Sequence, residues 1–264
     1  MQVLSLAGNY FVDVVPTWLP KLSHLKQLFL GFSNLIGSIP ASLSNLTNLN
    51  TLELAYGNLT GEIPAELGLL LELSHMYLGI NQLAGKIPAS LGNLSKLSYL
   101  ALQYNQMSGQ VPTTLGNSEA LYWLDLRFNN LQGNLDFLSS LSNCRRLQIL
   151  AIQANNFTGV LPSHLGNLSS QLVAFAAGYN NLIGGLPAEI SNISSLERLT
   201  IFDNLLTGPI PESIATMKRL TWLDISRNAI LGPIPTQMGM LRNLQRLFLQ
   251  ENSLPGSIPR SFGM

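Results

Sequence analysis

The sequence predicts an α/β solenoid: a right-handed superhelix of about eleven 24-residue coils with a parallel β-sheet on its concave face. Three observations predict it. First, one position recurs as Asn9, Ser33, Gly57, Asn81, Asn105, Asn129, Asn155, Asn180, Asn204, Asn228 and Asn252, in steps of 24 broken only by one of 26 and one of 25. Second, an apolar column stands two residues later, from Phe11, Leu35 and Leu59 through to Leu254. Third, Gly stands four residues after the slot in ten of the eleven coils, Asp13 being the exception, and Ile-Pro, Val-Pro or Leu-Pro usually follows.

Each element of a coil has its own reason. Before the slot the residues alternate, as in Leu52-Glu53-Leu54 or Leu223-Asp224-Ile225, and period-two alternation reads as a half-buried strand. The slot itself is polar among buried leucines, so its amide must be satisfied, and Asn carries both donors and an acceptor. Ser33 and Gly57 are the weak slots, one with a single hydroxyl and one with no side chain. The glycine column permits a turn that a side chain resists. The proline after it fixes φ and removes a donor, so this segment is extended. An apolar set at spacing three, as in Leu43, Leu46 and Leu49, then suits a short 3₁₀ turn on the far side. The coil around Asp136 is irregular, with Asp in the proline slot and two extra residues before Asn155. One coil cannot bury its own apolar columns, whereas stacked coils bury them against one another. The array runs through residues 1–264 without a linker or a shift in composition, which reads as a single domain.

Composition narrows the function. The 14 Lys and Arg balance the 14 Asp and Glu, and charged residues make up 11%. A nucleic-acid binder would carry a basic excess, so nucleic acid is not an expected partner. No run of about 20 apolar residues spans a membrane. The N-terminus MQVLSLAGNYF lacks a basic segment followed by a long apolar run and is a poor signal peptide. Cys144 is the sole cysteine, which rules out a disulfide framework and reads as a small buried apolar residue. His24, His75 and His164 fall in unrelated registers, no hydrolase, phosphate-loop or metalloprotease motif occurs, and neither a cofactor nor a metal is expected. Asp125 and Asp224 read as solvated strand-face carboxylates.

The phrase LSKLSYLALQYNQMSGQVPTTLGNSEAL, Leu94–Leu121, resembles the plant-specific leucine-rich repeat, and the pattern covers the whole chain. The phrase from Asp136 to Leu172, DFLSSLSNCRRLQILAIQANNFTGVLPSHLGNLSSQL, resembles the ectodomains of plant immune receptor-like kinases, the group holding the flagellin, elongation-factor and rice bacterial-blight receptors. The resemblance implies an extracellular array at the plasma membrane that binds a peptide or protein ligand on its concave face and pairs with a co-receptor kinase. Members of that group begin with a signal peptide and a Cys-paired cap, and end with a second cap, a membrane span and a kinase. None of these is in the sequence, which on this reading is a fragment, and kinase activity would belong to another part of the protein. Two alternatives stand beside it: a secreted leucine-rich-repeat inhibitor, and a glycan-acting enzyme, for which aromatic side chains are the only support.

The candidate ligand-binding residues lie in columns expected to face outward from the strands. Phe29, Phe32, Tyr56, Tyr77, Tyr99, Tyr104, Trp123 and Phe128 form an aromatic field over the early coils. Arg198, Asp203, Trp222, Arg227 and Arg246, with Glu251, form a charged field over the late ones. Exposed aromatic clusters mark interaction sites. Six Asn-Xaa-Ser/Thr sequons, at Asn45, Asn58, Asn93, Asn156, Asn167 and Asn192, are candidate glycosylation sites.

Overall fold

In the computed structural model, which describes residues 1–263, each coil contributes one strand to a continuous inner sheet. Its eleven parallel strands follow chain order, from Val3–Ser5 to Arg246–Phe248. The register is set coil against coil, with Gln27, Thr51, His75, Tyr99, Trp123, Ile149, Ala174, Arg198, Trp222 and Arg246 side by side. Eight strands, from Ile36–Ser38 to Leu205–Leu206, form a second parallel layer after the slot. The proline segments lead into 3₁₀ turns such as Ala41–Asn45 and Ala89–Asn93 on the outer side. Between these layers the apolar columns form one core, in which Leu28, Leu52, Met76, Leu100, Leu124 and Leu150 are fully buried.

The slot works as the sequence predicts, and the bonds show how. The Oδ1 of Asn105 accepts the Leu83 N–H of the preceding coil at 2.9 Å, and its Nδ2 donates to Leu102 O and Leu78 O, both at 3.0 Å. The same scheme repeats at Asn81, Asn129, Asn155, Asn180, Asn204, Asn228 and Asn252. The ladder weakens at the two defective slots. Ser33 Oγ donates only to Gly31 O at 3.3 Å, within its own coil, and Gly57 offers the Leu35 N–H no side-chain acceptor.

The glycines four residues past the slot, Gly37 to Gly256, all have φ between 72° and 98°, the region that excludes most side chains. A second left-handed column was not read from the sequence. Phe32, Tyr56, Ile80, Tyr104, Phe128, Ala154, Tyr179, Asp203, Arg227 and Glu251, immediately before the slot, have φ of 50–59°. A non-glycine residue there costs on the order of 1–2 kcal/mol. Hydrogen bonds from the neighbouring coil hold it in place, as from Tyr56 N–H to Gly79 O at 3.0 Å and from Tyr104 N–H to Arg127 O at 3.0 Å. These residues therefore sit in turns beyond the strands, not in the strands, which corrects the expected placement of Phe32, Tyr56, Tyr104, Phe128, Asp203 and Arg227.

The irregular coil resolves its extra length with an α-helix, Phe137–Leu141, where the other coils have 3₁₀ turns. Cys144 follows it, buried against the Leu115 and Gly116 carbonyls at 3.9 Å, and burial pushes its thiol up to about 12. No helix among the described residues is long and apolar enough to cross a membrane.

Candidate functional site

Three columns face inward from each coil. The first and third residues of each strand project from the sheet, and so does the residue two places further on. That last column contains Ala55, Gly79, Gln103, Arg127 and Gln153, and sequence reading missed it. Its signal was present, because the period-two alternation continues for two residues past the strand.

The predicted aromatic field separates into two stripes. One runs along the left-handed turns. Phe32 stacks on Tyr56 with ring centres 4.1 Å apart, and Tyr104 on Phe128 at 4.4 Å. Equivalent positions of adjacent coils lie about one strand spacing apart, roughly 4.8 Å, so rings placed there stack face to face. These rings are 40–57% exposed. The second stripe lies on the sheet and is half-buried. His75 stacks on Tyr99 at 4.8 Å, Tyr77 lies 6.4 Å from Tyr99, and Tyr122, absent from the predicted set, packs on Tyr99 at 5.3 Å. Phe29 and Trp123 belong to this half-buried surface, with Trp123 in register beside Tyr99. Burial holds the His75 imidazole below its ordinary range, while its Nδ1 lies 2.8 Å from Ser74 Oγ.

The charged field is largely paired within itself. Arg227 bridges Asp203 at 3.4 Å and Glu251 at 3.2 Å, forming a chain of three charges along the late turns, in which Asp203 is half-buried. Arg246 lies over the Trp222 ring, 4.6 Å from its centre. Arg198 is exposed and has no ion pair among the described residues. Small side chains, Ala151, Ala174 and Ala176, separate the two fields.

The strand-face carboxylates are held by the backbone. Each accepts the N–H two residues further on: Glu53 from Ala55 at 3.1 Å, Asp125 from Arg127 at 3.2 Å, and Asp224 from Ser226 at 3.1 Å. Glu53 also accepts the Gly31 N–H at 3.0 Å. Asp125 corrects the expectation of a solvated carboxylate, because it is only 2% exposed. Burial pushes it up to about 6 against the opposing pull of Arg127, whose Nε lies 3.1 Å from Oδ2 but out of line for a hydrogen bond.

A pocket of about 280 Å³ opens on the inner face among Phe32, Glu53, Tyr56, Tyr77 and Gln103, floored by Ala55, Gly79 and Ala101. A larger hollow of about 1130 Å³ at the last coils is lined by the buried Met238 and Leu241 and by exposed side chains such as Lys218, Arg242 and Gln245. All six sequon asparagines are exposed. Asn45, Asn93, Asn167 and Asn192 end outer 3₁₀ turns, and Asn58 and Asn156 begin strands of the second layer, so none is on the inner face.

A solenoid with an inner parallel sheet, an asparagine ladder and outer 3₁₀ turns defines the class of repeat arrays that present side chains on a concave face. Within that class, a family model described as a leucine-rich repeat region matches residues 1–204, and leucine-rich repeats match 195–217, 219–241 and 243–264. The chain belongs to the leucine-rich repeat family. No curated protein matches it by sequence. Among solved structures, a TDR receptor is 30% identical with a TM-score of 0.80, over 99% of this chain and 49% of that one. PEPR1 with AtPEP1 is 32% identical with a TM-score of 0.73, over 99% and 43%. The Arabidopsis receptor kinase HAESA, in complex with the peptide hormone IDA and the co-receptor SERK1, is 28% identical with a TM-score of 0.54, over 98% and 55%. The likeness is thus to plant receptor-kinase ectodomains, and the chain spans about half the length of these structures.

Proposed function

We propose that this array is the ligand-binding region of a plant cell-surface receptor-like kinase, acting in immune or developmental signalling on the extracellular side of the plasma membrane. It holds a peptide or protein segment along its inner face, and a co-receptor kinase is the second partner. The observation that carries this reading is the row of exposed aromatic rings on strained left-handed turns. The left-handed turns recur in every coil, and where they carry aromatic residues the exposed rings give large contact area at small entropic cost. HAESA, to which the chain is similar, is solved with a peptide hormone and a co-receptor, which supports the same pair of partners. The exposed sequons are proposed as glycosylation sites, and their position leaves the inner face clear.

On this reading the apolar side chains of the ligand lie on Phe29, Phe32, Tyr56, Tyr77, Tyr99, Tyr104, Trp123 and Phe128. Its charged end meets Arg198 and Arg246 beside Trp222. Arg227 contributes less, since Asp203 and Glu251 already neutralise it. The test uses glycosylated protein and peptides selected from a random displayed library. Alanine at Tyr104, Trp123 or Phe128 should weaken binding roughly tenfold or more each, as for central aromatic anchors. Alanine at Lys96, paired with Glu72 at 2.6 Å, or at Lys218, bonded to Ala215 O at 2.8 Å, should change it by less than about twofold. Equal losses from both sets in folded variants would place the site elsewhere.

A further inference from the structure

The pocket on coils two to five combines features that seldom meet. Its walls are aromatic: the stacked pair Phe32 and Tyr56 from the turns, and Tyr77 from a strand. Its lining also holds a carboxylate with no counter-charge. Glu53 is half-buried, its two oxygens accept only the Gly31 and Ala55 N–H groups, and no Lys, Arg or His pairs with it among the described residues. Gln103 closes the far end of the pocket, its amide over Gly79, whereas Glu53 rests over Gly31 two coils away. The Gln103 Oε1 is buried and has no hydrogen-bond partner among the described residues. Gln103 reaches this position because Gly79 has no side chain: a Cβ there would lie 2.6 Å from the Gln103 amide carbon.

An uncompensated carboxylate and three ring faces together call for one kind of guest. The faces of aromatic rings are negative and attract a cation. A neutral apolar guest would fit the walls, but it would strip the remaining water from Glu53 and supply no charge in return. We infer that the pocket binds a lysine or arginine side chain of the ligand, its methylenes against Phe32, Tyr56 and Tyr77 and its cationic head at the Glu53 carboxylate. The inference rests on the inner face being the ligand surface. It adds a required cation to a region that the sequence marks only as apolar. Burial raises the Glu53 carboxyl above its usual range, and an arriving cation relieves that cost.

The test needs no natural ligand. Protein labelled with ¹³C at alanine methyls reports directly on Ala55 and Ala101, which line the pocket. It is titrated separately with N-acetyl-lysine methylamide, N-acetyl-arginine methylamide and the neutral N-acetyl-norleucine methylamide. Both methyl signals should shift with the two cations at roughly millimolar concentration, and norleucine should bind roughly fivefold more weakly or worse. Glu53→Gln should abolish that preference. It also leaves two N–H donors with one acceptor, so Tyr56→Leu, which touches no backbone bond, is the second variant and should weaken cation binding roughly threefold. Norleucine binding as tightly as lysine, or no response at Ala55 and Ala101 to either cation, overturns the inference. The wider reading is judged separately by the displayed peptides. Peptides that bind the inner face while norleucine matches lysine here would leave that reading standing without this pocket. Cation binding here with peptides seated elsewhere would do the reverse.

Discussion

Replacing Asn129 with alanine should cost the array roughly 3–5 kcal/mol, a loss expected equally at the other buried slot asparagines and from no other class of polar side chain in it. The estimate comes from counting what is left behind. Asn129 Oδ1 accepts the Met107 N–H at 3.0 Å, and Nδ2 donates to Leu102 O at 3.0 Å and Leu126 O at 3.1 Å. The residue is 8% exposed, so water does not replace the amide. Three buried backbone groups are stranded, at roughly 1–3 kcal/mol each before partial relaxation. The two carbonyls fare better than the N–H, because a carbonyl has a second lone pair and can share another donor. Urea denaturation of the variant should show the midpoint falling with the slope preserved if the array still unfolds as a unit. A loss below about 1 kcal/mol would mean that apolar stacking alone holds the coils in register.

Asp125 should make the array less stable at neutral pH than at mildly acidic pH. Its folded-state value, about 6, lies above the ordinary aspartate value, so the folded state holds the proton more tightly than the unfolded chain does. The stability this contributes is complete below about pH 4 and is lost as pH rises through about 6. Each pKa unit is worth about 1.4 kcal/mol, so the whole effect is roughly 2–3 kcal/mol. Asp125→Asn removes the titration and keeps an oxygen for the Arg127 N–H. The measurement is the stability of the variant minus that of the parent, taken from pH 4 to pH 7.5. The other carboxylates cancel in that difference, and the fit of the new amide adds only a constant. The variant should gain roughly 2–3 kcal/mol on the parent across this range. A flat difference would show that Asp125 titrates normally and that Arg127 compensates its burial fully.

The parts of the fold that were legible in the sequence are those where one residue type has one physical use. Asparagine in the slot, glycine in the turn and the proline after it each announce a backbone need, and the observed bonds and φ angles meet those needs. The left-handed column before the slot announced nothing, because Phe32, Tyr104 and Arg227 are poor candidates for φ near 50° by local preference. Their conformation is imposed by bonds from the next coil, which a local reading does not contain. The helix Phe137–Leu141 was hidden for a similar reason. Two extra residues show that a coil is irregular but not how it absorbs them.

The candidate site was legible as a set of columns and not as a surface. The residues of the aromatic field do share the early coils, yet pairing splits them into an exposed stack on the turns and a half-buried stack on the sheet. The pairing of Arg227 with both Asp203 and Glu251 depends on side-chain reach across coils, which spacing alone does not give. The pocket depends on absent atoms, the missing side chain of Gly79 and the small ones of Ala55 and Ala101, and a search for chemistry-bearing residues passes over these.

The most direct test of the central claim, that the inner face is the ligand surface, is photo-crosslinking with a benzophenone-bearing peptide taken from the displayed-library selection, followed by mapping of the attached residues. Attachment should fall within 27–32, 51–56, 75–80, 99–104 and 123–128, the inner strands and the left-handed turns that follow them. Attachment concentrated in the outer 3₁₀ turns, at 41–45, 65–69 and 89–93, would contradict the claim.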